Sequence, residues 1–269
     1  MKMALCAIMS LAACAAGPTA RETKGVWLGR LTWIEAEKVL TPDTVVVIPL
    51  GAESKEHGPH LLLANDFILA QYFERRVRER CDVVVAPTIN YSFYPAFTEY
   101  PGSTTLKLET ARDMVVDIVT SLARCGPKRF YVLNTGVSTV RALEPAKVAL
   151  ATLGIEMRYS TWDRLEPLYA DVVEQEGGTH ADEVETSMLL YIDPTAVDMS
   201  KAVDDFHPAE KGGLTRDPSK PGTYSASGVF GFATLATRAK GEIIVERVVE
   251  QLVKEIEELR SAALTVPTR

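Results

Sequence analysis

Two short stretches hold the residue types from which a catalytic centre can be built. The first carries Glu53, Glu56, His57, Gly58, Pro59 and His60, then Asn65 and Asp66. It gathers two of the chain's four His with two Glu and one Asp within fourteen residues. Imidazole and carboxylate together suit Zn²⁺ or Mn²⁺. Gly58-Pro59 makes a tight turn that brings His57 and His60 near one another. A polar loop of scattered charges is the plain alternative, but convergent ligands straight after a strand favour a site. The second stretch runs Gly177, Gly178, Thr179, His180, Ala181, Asp182, Glu183, Val184, Glu185, Thr186 and Ser187. Glu183 and Glu185 are two apart and cannot share a helical face, whereas His180 and Glu183 can. One Glu therefore points into a site and the other supports it or faces elsewhere. Acids at a helix N-terminus also have a dipole explanation without any catalysis. Together the stretches supply metal ligands, a carboxylate base and a spare His, the equipment for metal-assisted hydrolysis. There is no G-x-S-x-G elbow, P-loop or G-x-G-x-x-G after a strand, and neither stretch contains Cys.

These residues need a scaffold, and the sequence pattern provides one. Residues 44–50 (TVVVIPL) form an apolar run that reads as a buried parallel strand. A helix is expected over 67–80, a strand over 83–86, and a helix over 110–124 closed by Gly126 and Pro127. Strands at 130–133 and 155–159 flank a helix at 143–152. Residues 183–191 read as a helix, 204–227 as a long loop, and 240–259 as an amphipathic helix whose Val, Leu and Ile stripe is core packing. The alternation predicts an α/β fold, a mainly parallel sheet flanked by helices on both faces, in one domain over 21–269. Ligands in such sheets sit at the carboxyl ends of the strands, so the loops after Leu50, Pro87 and Leu133 should meet there. Tyr91, Tyr94 and Phe97 read equally as a pocket wall or as core. His207 reads as a solvated loop residue.

Composition narrows the class. The chain has 269 residues, 46% hydrophobic and 24% charged, with a net charge of -7. That is a globular composition with no electrostatic reason to hold nucleic acid. Residues 1–20 have the layout of a signal peptide, and Leu11-Ala12-Ala13-Cys14 resembles a bacterial lipobox with Cys14 as the lipid-bearing residue. Export to the periplasm, soluble or anchored through Cys14, is the expected localisation. Cys81 and Cys125 can pair there or remain buried thiols.

The same residues resemble the creatininase family. Its pattern P-x-G-[ST]-x-E-x-H-G-P-H-L-P-x-x-[TN]-D is similar to the stretch from Pro49 to Asp66. Its H-A-G-E-x-E-T-S is similar to the stretch from His180 to Ser187. Tyr100-Pro101-Gly102-Ser103, the glycines at 228 and 231, and Ala236-Thr237 with Lys240-Gly241 match further motifs, so the likeness spans about 40 to 260. The resemblance implies an α/β sandwich, C–N hydrolysis of small cyclic amides with one or two divalent ions, and a homo-oligomer, often a hexamer. It places His57 and Asp66 on metal-ligand positions, and His180 and Glu185 on catalytic or site-lining positions.

Three departures qualify this. The family's ligand Glu is Lys55 here, leaving Glu56 or Glu53 to take over. Its N-G-H-G-G-N is Asn134, Thr135, Gly136, Val137, Ser138 and Thr139, so a metal-binding His has become Gly136. Phe232 replaces a common Asp. The expectation is therefore one ion, Zn or Mn, on Glu56, His57 and Asp66, with His60 as a substitute ligand. His180, Glu183 and Glu185 are the catalytic group, and His60, Ser138 and Thr139 contact substrate. A non-catalytic binding protein on the same fold, or a ring-opening hydrolase of an oxidised sugar or cyclitol, are the alternatives.

Overall fold

The computed structural model describes residues 23–208 and 212–264. The expected signal segment and Cys14 lie outside them. In chain order the main elements begin with β1 (Val26–Trp27), α1 (Trp33–Val39), β2 (Val45–Leu50), α2 (Asn65–Arg80), β3 (Val84–Val85) and α3 (Leu108–Ala123). They continue with β4 (Arg129–Asn134), α4 (Val140–Ala151), β5 (Glu156–Tyr159), α5 (Trp162–Leu165), α6 (Glu183–Ile192) and α7 (Arg238–Ser261). Five strands form one sheet in the order β1-β3-β2-β4-β5, and every neighbouring pair is parallel.

The period of two along β2 and β4 distributes their apolar side chains to two cores. On one face Val45, Val47, Tyr131 and Leu133 pack against α2, α6 and α7. On the other, Val46, Ile48, Phe130 and Val132 pack against α3 and α4. All six β2 residues are buried, which is why that run carries no polar alternation. Cutting a buried side chain such as Leu69 or Ile48 to Ala costs about 2–5 kcal/mol. Helices therefore cover both faces of a parallel sheet, as the alternation predicts. No helix among the described residues is long and apolar enough to cross a membrane.

The differences are local. β1 and α1 precede the first expected strand and lack a strong periodic signal. Thr32 and Glu35 form a capping box that starts α1 even though the helix buries none of its residues. Parts of 204–227 are not plain loop. Asp204–Asp205 pairs antiparallel with Gly231–Phe232, and Leu214–Thr215 pairs with Thr223–Tyr224. Cys81 is buried, Cys125 is exposed, and both are free, so neither the pairing nor a pair of buried thiols is found.

Candidate active site

The strand ends converge as the parallel topology demands. The Gly51 N–H donates to the Ile89 carbonyl, and the Thr135 hydroxyl donates to the carbonyls of Leu50 and Asp66. The loops after β2, β3 and β4 thus meet at one edge of the sheet. The second stretch is brought to the same place by an antiparallel bridge between His180 and Phe230. Ala181, the next residue, sits at φ +49°, a left-handed conformation uncommon for a residue with a Cβ. Its N–H donates to Glu185 Oε2 at 2.6 Å. Asp182 caps α6 by accepting from the Val184 and Glu185 N–H groups. Burial, reinforced by Glu185, pushes the Asp182 carboxyl up to about 6.

Ligating atoms of His57, His180 and Glu185 lie within 4.8 Å of one another. The His57 and His180 ring centroids are 4.9 Å apart. His57 Nδ1 lies 2.9 Å from the Lys55 carbonyl, and Nε2 lies 2.9 Å from Asp66 Oδ1. Both partners are acceptors only. Since Nδ1–H donates to the carbonyl, Nε2 and the Asp66 oxygen need a cation or a second proton between them. His180 repeats this. Its Nε2 faces the Glu56 carbonyl at 2.9 Å and Glu56 Oε2 at 3.1 Å, while Nδ1 lies 3.7 Å from Glu185 Oε2. Burial disfavours a charged His180 ring, but the Glu56 carboxylate outweighs it and raises the pKa above the usual 6.5. Imidazoles beside carboxylates are the donor set of a metal centre: the Lys55 carbonyl orients the His57 ring through Nδ1–H, and Glu56 orients the His180 ring.

Among the described residues, His57, His180 and Glu185 form one group that could hold an ion. Lys55 Nζ occupies the other Asp66 oxygen at 2.7 Å. At Gly136 a Cβ would lie 2.9 Å from Thr139 Cγ2 and 3.3 Å from Tyr94 Cε1, so any side chain there requires these neighbours to shift. Burial would push Asp66 up, yet Lys55 and His57 outweigh it and hold the carboxyl well below its ordinary range.

The remaining candidates divide. Glu56 orients His180 and accepts from the Gly58 N–H. It lies outside the cluster of three, and so does Asp66. Gly228, at φ +87°, makes room for Glu56: a Cβ there would fall 2.0 Å from Glu56 Oε1. Glu53 accepts instead from Asn90, near the surface. His60 hydrogen-bonds Thr186 at 2.8 Å and is buried, and burial lowers its pKa to about 4. It does not join the cluster.

Glu183 must be corrected. It is fully buried, binds Lys240 Nζ at 2.6 Å, and accepts from the Glu174 and Gln175 N–H groups. It joins α6 to α7 and faces away from the cluster. Thr139 is corrected too: its hydroxyl is buried against Asn134 Oδ1 and the Gly136 carbonyl, shaping the β4 turn. Ser138 lines the cavity, although its hydroxyl donates to the Phe93 carbonyl. Lys55 is the residue that the spacing rules did not single out, and Phe97 is both pocket wall and part of a small core cluster. A cavity of about 310 Å³ is lined by Lys55, Phe97, Ser138, His180 and Glu185, and an adjoining one of about 340 Å³ shares Glu185. Tyr94 is core and Tyr91 is exposed. His207 is exposed and lies 3.1 Å from Asp205.

The family model for creatininase (creatinine amidohydrolase) matches residues 29–256. The chain belongs to the creatininase family. Creatinine amidohydrolase of Pseudomonas putida is 30% identical over 256 residues, covering 88% of this chain and 98% of that protein. The 3-dehydro-scyllo-inosose hydrolase of Thermotoga maritima is 24% identical over 87% of this chain and 84% of its own length. A solved manganese creatininase superposes with TM-score 0.73 at 28% identity, over 88% of this chain and 100% of that one. A mutant creatininase of Zn–Zn type superposes with TM-score 0.71 at 28% identity, over 88% and 99%. Membership in this family makes the chain an amidohydrolase-type protein and gives its fold the same parallel core.

Proposed function

We propose that this protein hydrolyses a small cyclic amide or a related ring, with one divalent ion, Zn or Mn, held by His57, His180 and Glu185. The supporting observation is the pair of imidazoles whose nitrogens all face acceptors, beside a carboxylate that lines a cavity. When bound, such an ion acidifies water and polarises a carbonyl. The chain's own residues do the rest. The Lys55 carbonyl and Glu56 fix the two rings. Glu185 accepts the proton of the attacking water and returns it to the leaving nitrogen, so that the C–N bond opens with no net proton change. Phe97, 4.4 Å from the His180 ring, closes one side of the cavity and limits water.

The test is metal analysis of the purified protein with assays over creatinine, other lactams and lactones. Chelation should abolish turnover and Mn²⁺ or Zn²⁺ should restore it. His57→Ala should lose at least about 100-fold in kcat/KM, in line with the loss of a group that stabilises transition-state charge. Full activity in metal-free protein would end the proposal.

A second reading, ring opening of an oxidised cyclitol, is favoured by the inosose hydrolase relative. A keto-cyclitol in the same panel distinguishes it. Export belongs to the proposal as well, supported by the layout of residues 1–20, and so does a homo-oligomer, supported by the family. Mass analysis of the mature chain and light scattering test these two.

A further inference from the structure

Asp66 is fully buried and has a nitrogen against each oxygen. One side holds the His57 ring. The other holds the Lys55 ammonium, at 2.7 Å. Lys55 is itself 4% exposed, and what it does expose opens into the cavity that also carries His180, Glu185 and Ser138. Its Nζ lies 4.7 Å from the Phe97 ring centroid and 5.6 Å from that of Tyr94, whose negative faces favour a cation. The buried ammonium thus sits between one carboxylate and two aromatic rings. A side chain at Gly136 would require Thr139 and Tyr94 to shift. A creatininase of Zn–Zn type has a fold that superposes on this one, whereas here a cation of the chain's own stands at Asp66.

We propose that the Lys55 ammonium is a built-in second cation, which excludes a second metal ion from Asp66 and donates an N–H hydrogen bond to the substrate oxygen that gains negative charge during attack. No covalent bond to Lys55 forms. The carbonyl π electrons move onto that oxygen as water adds, return as the C–N bond breaks, and the ammonium keeps its protons throughout. This assignment rests on the one-ion hydrolase reading above and names the residue that completes its charge balance. It also gives the cavity a preference for substrates with an exocyclic oxygen directed at Lys55.

The experiment has two readouts. The first is the count and affinity of Zn²⁺ bound by the apo full chain, measured by titration calorimetry and elemental analysis. Wild type should bind one equivalent. Lys55→Met should also bind one, at least tenfold more tightly, because a cation beside Asp66 has been removed. Lys55→Glu should take up a second. Circular dichroism confirms that the variants fold; Lys55→Gln is the fallback should Lys55→Met fail to. The second readout is steady-state kinetics on the ring compound turned over fastest in the panel. The Lys55→Met kcat should fall by about 10²–10³-fold, as for loss of an oxyanion donor, with KM within about threefold.

Two equivalents in wild type overturn the assignment and leave the hydrolase reading standing. So does a Lys55→Met protein with unchanged affinity and unchanged kcat. No bound ion in wild type overturns both.

Discussion

Glu183 and Glu185 are two residues apart in one motif, and the structure gives them opposite tasks, so exchanging them one at a time separates stability from chemistry. Glu183→Ala removes a buried carboxylate that accepts from two backbone N–H groups and from Lys240. Breaking a buried pair by deleting one partner costs about 3–5 kcal/mol, because a charge is left uncompensated. Lys240 is 13% exposed and also contacts Glu174 at 2.7 Å, so it keeps a partner and the cost should fall near about 3 kcal/mol. For a domain of this size about 1 kcal/mol moves Tm by roughly 2–4 °C, which makes the expected drop about 6–12 °C. Glu185→Gln, in contrast, keeps the shape and an oxygen for the Ala181 N–H. It should move Tm by no more than about 2 °C while removing at least about 100-fold of kcat/KM. Differential scanning fluorimetry and initial rates at a temperature where both variants are folded suffice. If Glu183→Ala lost activity without losing Tm, or Glu185→Gln did the reverse, the division of labour would be wrong.

Two more outcomes are expected. Gly228→Ala places a methyl 2.0 Å from Glu56 Oε1 at φ +87°, so it should displace Glu56 from His180, cut kcat/KM by about tenfold or more, and cost about 1–2 kcal/mol. Gly102→Ala, at φ +92° but against the end of Leu63, carries the same backbone penalty and should keep its activity. His60 is held neutral by burial, with its pKa lowered to about 4 from 6.5. The unfolded chain therefore binds this proton first, and the ring's contribution to stability is complete above pH 6.5 and lost as pH falls toward 4. The slope from this ring is at most about 1.4 kcal/mol per pH unit. Chemical denaturation of wild type and His60→Gln between pH 4 and 7 should show the variant with a shallower slope; equal slopes would refute the account.

The sheet was legible because β2 and β4 are unbroken apolar runs and α2, α3, α4 and α7 carry helical periodicity. Parallel topology accounts for the meeting of the loops after β2, β3 and β4, whereas the second polar stretch reaches them through the His180–Phe230 bridge, which no strand pattern marks. What escaped was direction within a motif. Nothing in the order Asp182, Glu183, Val184, Glu185 tells which carboxylate meets Lys240, because Lys240 arrives from a helix more than fifty residues away. Thr139 looked available for substrate, but its hydroxyl is used by the turn after β4. Lys55 looked like a broken ligand, and only its contact with Asp66 shows that the position still holds a positive charge. α1 was missed since it buries none of its residues, so no stripe marks it.

The cavity is walled by two structural modules. Lys55, His180 and Glu185 rise from the sheet edge and α6, whereas Gly213, Leu214 and Thr223 belong to a small two-stranded unit with no pairing to the central sheet. Side chains on that outer unit shape the mouth of the cavity, and Leu214 ties the unit to the small core cluster of Tyr94 and Phe97. The buried charges and the rim above them thus come from separate pieces of secondary structure joined by one patch of apolar packing.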